Sequence, residues 1–150
     1  VAKFAATDYK ITITSSSLAS ITDFTDHIAQ VELTYGYNEL DVTAFSNPGK
    51  VSAQGLIEGE LKIDFHQDFA PGTASLDSVL WTLTTANTVA TVVITPTSSA
   101  VGSSNPKYTC IVRPLQYSPF SSSVGDLATV SVTWPLNSAG TVSPVVRATA

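Results

Sequence analysis

The longest alternation of apolar and polar residues runs from Leu56 to Asp68. Ile57, Leu61, Ile63 and Phe65 occupy one set of alternate positions, while Glu58, Glu60, Lys62, Asp64 and His66 occupy the other. Side chains on a strand point alternately to opposite faces, so this pattern predicts one long strand with an apolar and a charged face. Shorter stretches repeat the period. Tyr9, Ile11 and Ile13 alternate with Lys10, Thr12 and Thr14 until Ser15-Ser16-Ser17 ends the pattern. A second strand is expected over His27–Leu33, with Val31 and Leu33 on one face. Thr88–Thr95 is rich in Val and Thr, and Lys107–Tyr117 is strand-like but interrupted by Pro114. Leu127–Trp134 places Val130, Val132 and Trp134 on one face before Pro135 closes it.

One segment changes period. After Pro71-Gly72, Ser75 can cap a helix, Asp77 lies in its first turn, and Leu76, Val79, Leu80 and Leu83 recur at helical spacing. The spacing predicts a helix over Ser75–Thr85 that packs one stripe on a sheet. Thr34–Gln54 follows neither period. It opens Thr-Tyr-Gly-Tyr-Asn, holds a strand-like piece at Glu39–Phe45 and turns at Asn47-Pro48-Gly49, so it reads as a projecting loop or hairpin. Ile21–Asp26 reads as a loop or short turn. Val1–Asp8 reads as an arm, and residues 136–150 read as a tail without a strong period.

Composition narrows the class. The chain has 150 residues, 43% hydrophobic and 13% charged, which suits one folded domain spanning residues 1–150. Seven basic against 12 acidic residues give a formal charge of −5, the wrong sign for gripping nucleic acid phosphates. A single cysteine, Cys110, excludes an internal disulfide framework. No run approaches the roughly 18 apolar residues of a membrane-spanning helix, and no signal-peptide pattern opens the sequence. The plain expectation is a soluble β domain without a membrane partner.

The chemistry-bearing residues are sparse. No Gly-x-Ser-x-Gly elbow, phosphate-binding glycine loop or His-Glu-x-x-His helix occurs. His66 with Asp68, or Asp26 with His27, supplies two metal ligands where a catalytic metal takes three, and nothing indicates the third. Cys110 lies inside a strand pattern and is expected to be buried and inert. Glu58, Glu60 and Asp64 admit a carboxylate-pair reading, but with Lys62 and His66 between them a wet face is the simpler account. Trp81 and Trp134 are expected in core or interface packing. The expectation is a non-enzyme without metal or cofactor.

Two segments carry a resemblance. Glu39-Leu40-Asp41-Val42-Thr43-Ala44-Phe45 leads, after a loop, into Gly55-Leu56 and through Leu61 to Phe65-His66-Gln67-Asp68-Phe69. Later come Asn105-Pro106-Lys107-Tyr108-Thr109 and Val124-Gly125-Asp126-Leu127-Ala128-Thr129. In order and spacing, from about Val31 to Trp134, this resembles the tail tube (major tail) proteins of long, flexible-tailed bacteriophages. The resemblance implies a mainly β subunit, a β-sandwich or barrel-like fold with one flanking α-helix and a long projecting loop. It implies homohexameric rings that stack into a hollow tube, through which DNA passes without specific binding during genome ejection. Tape measure and tail terminator proteins would be further partners, with assembly in the host bacterial cytoplasm and a final place in the virion tail.

The family's inter-ring loop falls on Thr34–Gln54, making Tyr35, Tyr37, Glu39, Asp41, Phe45, Asn47 and Lys50 candidates for that contact. Lys50 is the one basic residue there, where the family pattern suggests another in mid-loop. The arm Val1–Asp8 and the tail after Pro135 match segments that reach across subunits. A low charge and a mean hydropathy of +0.21 suit a subunit largely covered by neighbours. Six copies of a −5 chain carry about −30 per ring, and a negative wall repels DNA. Glu58, Glu60, Lys62, Asp64 and His66 are therefore candidates for the lumen. Two rival readings are a carbohydrate- or receptor-binding β-sandwich and a small hydrolase using the acidic strand.

Overall fold

The structure is a computed structural model that describes residues 3–19 and 22–150. Its elements in chain order are β1 (Lys10–Ser15), β2 (Thr22–Asp23), a single 3-10 turn (Thr25–His27), β3 (Ile28–Asp41), β4 (Ser52–His66), α1 (Leu76–Thr85), β5 (Ala90–Thr95), β6 (Lys107–Val112), β7 (Thr129–Pro135) and β8 (Val145–Ala148). They build two antiparallel sheets, one of five strands in the order β2-β1-β5-β6-β8 and one of three in the order β3-β4-β7. The architecture is the β-sandwich with one flanking helix that the periodicities imply.

The core lies where the apolar faces meet. Ile11 and Ile13 of β1, Val92 of β5, and Cys110 and Val112 of β6 form one side. Leu61, Ile63 and Phe65 of β4 with Val130, Val132 and Trp134 of β7 form the other. The register pairs Leu61 with Trp134, Ile63 with Val132 and Phe65 with Val130, so the apolar residues run in rows across the smaller sheet. Leu76, Val79, Leu80 and Leu83 add the helix stripe. Ser75 caps that helix by accepting a hydrogen bond from Ser78 N at 3.4 Å.

Four expectations change. The segment Thr34–Gln54 is not irregular: β3 runs on to Asp41 and β4 begins at Ser52, leaving only residues 42–51 to connect them. The alternation fades there because neither face of this part is buried, so nothing requires apolar residues at every second position. Ile57 shares the core parity yet stays half-exposed, since β7 pairs with β4 only from Glu60 to His66. Trp81 is 62% exposed and takes no part in the core, whereas Trp134 is fully buried and donates from Nε1 to Gln116 O at 3.2 Å. The tail after Pro135 contains β8, which joins the larger sheet beside β6. Its four residues are too few to register as a period, and β6 supplies the order.

In smaller respects, Pro114 ends β6 two residues ahead, and the expected loop at Ile21–Asp26 holds β2 and the 3-10 turn. Of the N-terminal arm, Val1 and Ala2 lie outside the described residues. Phe4 stacks on Tyr9 with ring centroids 6.0 Å apart, and Asp8 accepts hydrogen bonds from Ser98.

Candidate assembly surfaces

The β3–β4 hairpin changes character along its length. Near its base β4 has a strand on each side, Val31 faces Ile63 and Leu33 faces Leu61. Beyond Gly59 only two strands remain. Gly59 marks the change: a Cβ there would lie 2.1 Å from Thr34 O and 2.7 Å from Tyr35 Cα, so only glycine permits this approach of the two backbones. The register then slips between Tyr37 and Glu39, a bulge that bends and twists the outer ladder.

The tip is ordered by its own polar groups. Asn47 Oδ1 accepts from Ala44 N at 2.7 Å, and Asp41 Oδ1 accepts from Thr43 N at 3.0 Å. Val42 N donates to Val51 O at 3.0 Å, and Thr43 Oγ1 accepts from Val51 N at 2.8 Å. Lys50 forms an ion pair with Glu39, which also accepts from Ser52 Oγ at 3.1 Å. The Lys50 ammonium and then the Ser52 hydroxyl hold the Glu39 carboxyl below its ordinary value. Asp41 is likewise lowered by the Thr43 hydroxyl and N–H.

Of the tip candidates named from the sequence, Glu39, Asp41, Asn47 and Lys50 thus brace the hairpin itself. Phe45 is fully exposed, and Tyr35 and Tyr37 are each half out on the continuation of the core face. Leu40, Val42, Val51 and Leu56 are exposed beside them and belong to the same surface. Tyr35 also borders an apolar groove of about 350 Å³ where the sheets part, lined with Tyr9, Val31, Leu33, Ile94 and Tyr108.

The charged face of β4 is a surface shared with both neighbours. Register places Glu32 opposite Lys62, Thr34 opposite Glu60 and Gly36 opposite Glu58, with Thr133 and Ser131 flanking Lys62 and Asp64 on the other side. Asp64 accepts from Ser131 Oγ at 2.6 Å. Glu58 and Glu60 are exposed; Lys62, Asp64 and His66 are partly covered. Glu32 joins this face, and the strand pairing that brings it there has no signature in local sequence. His66 turns one ring nitrogen, Nδ1, into the protein without a hydrogen-bond partner.

Catalytic arrangements are not assembled. Among the described residues no three His, Cys, Asp or Glu side chains gather as a metal site, and His27 meets only its neighbour Asp26, at 3.9 Å. Cys110 is buried between Val92 and Val145, and that burial pushes its thiol up to about 11. Among the described residues, no helix is long and apolar enough to cross a membrane.

No protein family model matches the chain, and no curated protein matches it. Solved structures do. A subunit of the SPP1 tail tube superposes with a TM-score of 0.73 at 9% identity, over 99% of this chain and 80% of that one. The chain has the phage tail tube fold. A chain of the six-fold symmetrised baseplate of the anti-feeding prophage is also similar, with a TM-score of 0.55 at 12% identity, over 98% of this chain and 96% of that one. At these identities the tail tube fold is held by pattern, with few residues in common. The likeness spans both sheets, the helix and the hairpin together.

Proposed function

We propose that this chain is a structural, non-enzymatic virion protein whose copies close into six-membered rings that stack into a hollow tail tube. The tube conducts the phage genome into the host. The observation that carries the reading is the tail tube fold over nearly the whole chain. The shape of the smaller sheet supports it. Edge strand β3 is 14 residues long and has no ladder partner on its outer side among the described residues. A long open edge is a liability in a monomer and a joint in an assembly. A ring is a head-to-tail contact that closes, and a tube is one that does not.

In this reading the polar face of β3, β4 and β7 lines the lumen. Glu32, Glu58, Glu60 and Asp64 stand on it against Lys62 alone, so the face is net negative. Repulsion of phosphates acts over a Debye length of about 8 Å at physiological salt, so carboxylates must lie on the wall itself to keep DNA from sticking. Electron microscopy of the concentrated protein tests the assembly: six-fold rings and stacked tubes are expected, and a strictly monomeric species would overturn it. Lysine at both Glu58 and Glu60 tests the lumen. Tubes should assemble normally while DNA ejection slows, and the defect should ease as salt rises. Failed ring closure would put this face in an interface instead.

A further inference from the structure

Two exposed apolar surfaces sit at opposite ends of the same strand. One is the hairpin tip, with Leu40, Val42, Phe45 and Val51. The other lies past the far end of β4, where Phe69 stacks on Phe120 with centroids 5.6 Å apart. The segment carrying Phe120 is fastened there. Gln67 N donates to Ala128 O, Gln67 Nε2 to Pro119 O and Tyr117 Oη, and Ser121 Oγ to Thr129 O. Tyr117 in turn donates to Asp77 on the helix at 2.5 Å. Val124 and Leu127 extend the patch and are exposed. β4 has 15 residues. At about 3.3 Å per residue it holds the two surfaces roughly 45–50 Å apart and facing opposite ways.

We propose that the hairpin tip of one copy seats on the Phe69–Phe120 patch of a second copy, and that this is the joint between successive rings. The inference rests on the tube reading and adds to it the surface that receives the tip. Areas support a second copy as the occupant. From the exposures of Phe69 (53%), Phe120 (84%), Val124 (106%) and Leu127 (69%), with a large aromatic burying about 150–250 Å², the patch offers on the order of 500 Å². The tip, with Phe45 fully exposed and three aliphatic side chains about half exposed, offers a similar area. Either patch is at the upper end of what a monomer leaves uncovered.

Together they bury about 1,000 Å², short of the roughly 1,200–2,000 Å² of a stable pairwise interface. One such contact does not hold two copies together. Six between two rings do, because after the first forms the rest are intramolecular. The same arithmetic keeps free subunits from chaining before a ring exists. A contact whose halves are different surfaces is heterologous and propagates without limit, as a tube requires.

Cross-linking reads the joint directly. Cys110 is buried, so Ser46→Cys beside Phe45 and Ser123→Cys beside Val124 each present one accessible thiol and leave the apolar side chains in place. A short bis-maleimide applied to an assembled mixture of the two variants should give covalent dimers, and neither variant alone should. The double variant should give a ladder. Phe120→Lys should leave rings closed but raise the concentration needed for stacking about tenfold or more. Tubes visible by microscopy without these cross-links would overturn the joint and leave the tube reading standing. An unmodified protein that forms neither rings nor tubes would overturn both. Cross-links between two Ser123→Cys copies would assign the patch to a contact within the ring and overturn the proposal.

Discussion

The base and the tip of the β3–β4 hairpin are one continuous ladder with opposite physics. At the base, Leu61, Ile63 and Phe65 are fully buried against β7, and their polar neighbours on the same strand face out. At the tip the same two strands continue with no third strand, and large apolar side chains stand in solvent. Secondary structure therefore does not report where stability lies. The base is held by burial of apolar area, while the tip is held by hydrogen bonds, one ion pair and the ladder itself. A hairpin with no third strand is marginal by itself, so the tip borrows its order from the base.

The largest effect should come from the base. Phe65→Ala or Trp134→Ala removes a fully buried aromatic ring and should destabilise by about 3–5 kcal/mol in urea unfolding. Phe45→Ala, at the tip, should change stability by less than about 0.5 kcal/mol. Equal losses would mean that the tip folds against the body, and the contrast would fail.

The junction is next in size. Gly59→Ala forces a Cβ onto the Thr34 carbonyl, where backbone must move, and should cost about 1–3 kcal/mol. Gly36→Ala, across the ladder with nothing within 4 Å of its Cβ, should be nearly silent. The pair uses one chemical change on two neighbouring residues, so thermal midpoints of the two variants isolate the close approach.

Legibility in the sequence followed burial. The apolar face of β4 and the helix stripe were plain because one side of each is packed, and packing enforces a period. The tip was legible as a projection, through its composition and its Asn47-Pro48-Gly49 turn, but its strands were not, because no packing enforces alternation there. The charged face of β4 was legible on its own strand; Glu32 arrived on that face through register. The Phe69–Phe120 patch was invisible because its two rings lie 50 residues apart and meet only through the Gln67 and Tyr117 hydrogen bonds. The resemblance to tail tube proteins rested on the order of segments, and the superposition places the fold where those segments pointed.

Removing the tip separates its two roles. Replacing Asn38–Ala53 by a short Gly-Ser turn should leave the domain folded, since a change in loop length costs only about 0.6 kcal/mol per doubling. Stacking should stop while ring closure persists. Tubes of normal length from this variant would show that the tip is not the stacking element. Unfolding of the whole domain would show that the tip stabilises the body.

The smallest effect concerns the charges that brace the tip. The Glu39 carboxyl is held below its ordinary 4.5 by Lys50 and Ser52, and Asp41 below its ordinary 3.8 by Thr43. A carboxyl with a lowered folded pKa favours the folded tip above its unfolded pKa, and that contribution is lost as pH falls through the folded value. Protection should therefore be constant near neutrality and decline below the normal carboxylate range. Both groups are fully exposed, so the loss should appear as local fraying, without a change in global stability. Amide exchange at Val42 and Val51, compared with Ile63 in the base at the same pH, measures it. Tip protection should fall on acidification, fall partway in high salt through screening of the Glu39–Lys50 pair, and be salt-independent in Lys50→Met. If tip and base lose protection together, the hairpin opens as one unit and its two halves are not separately held.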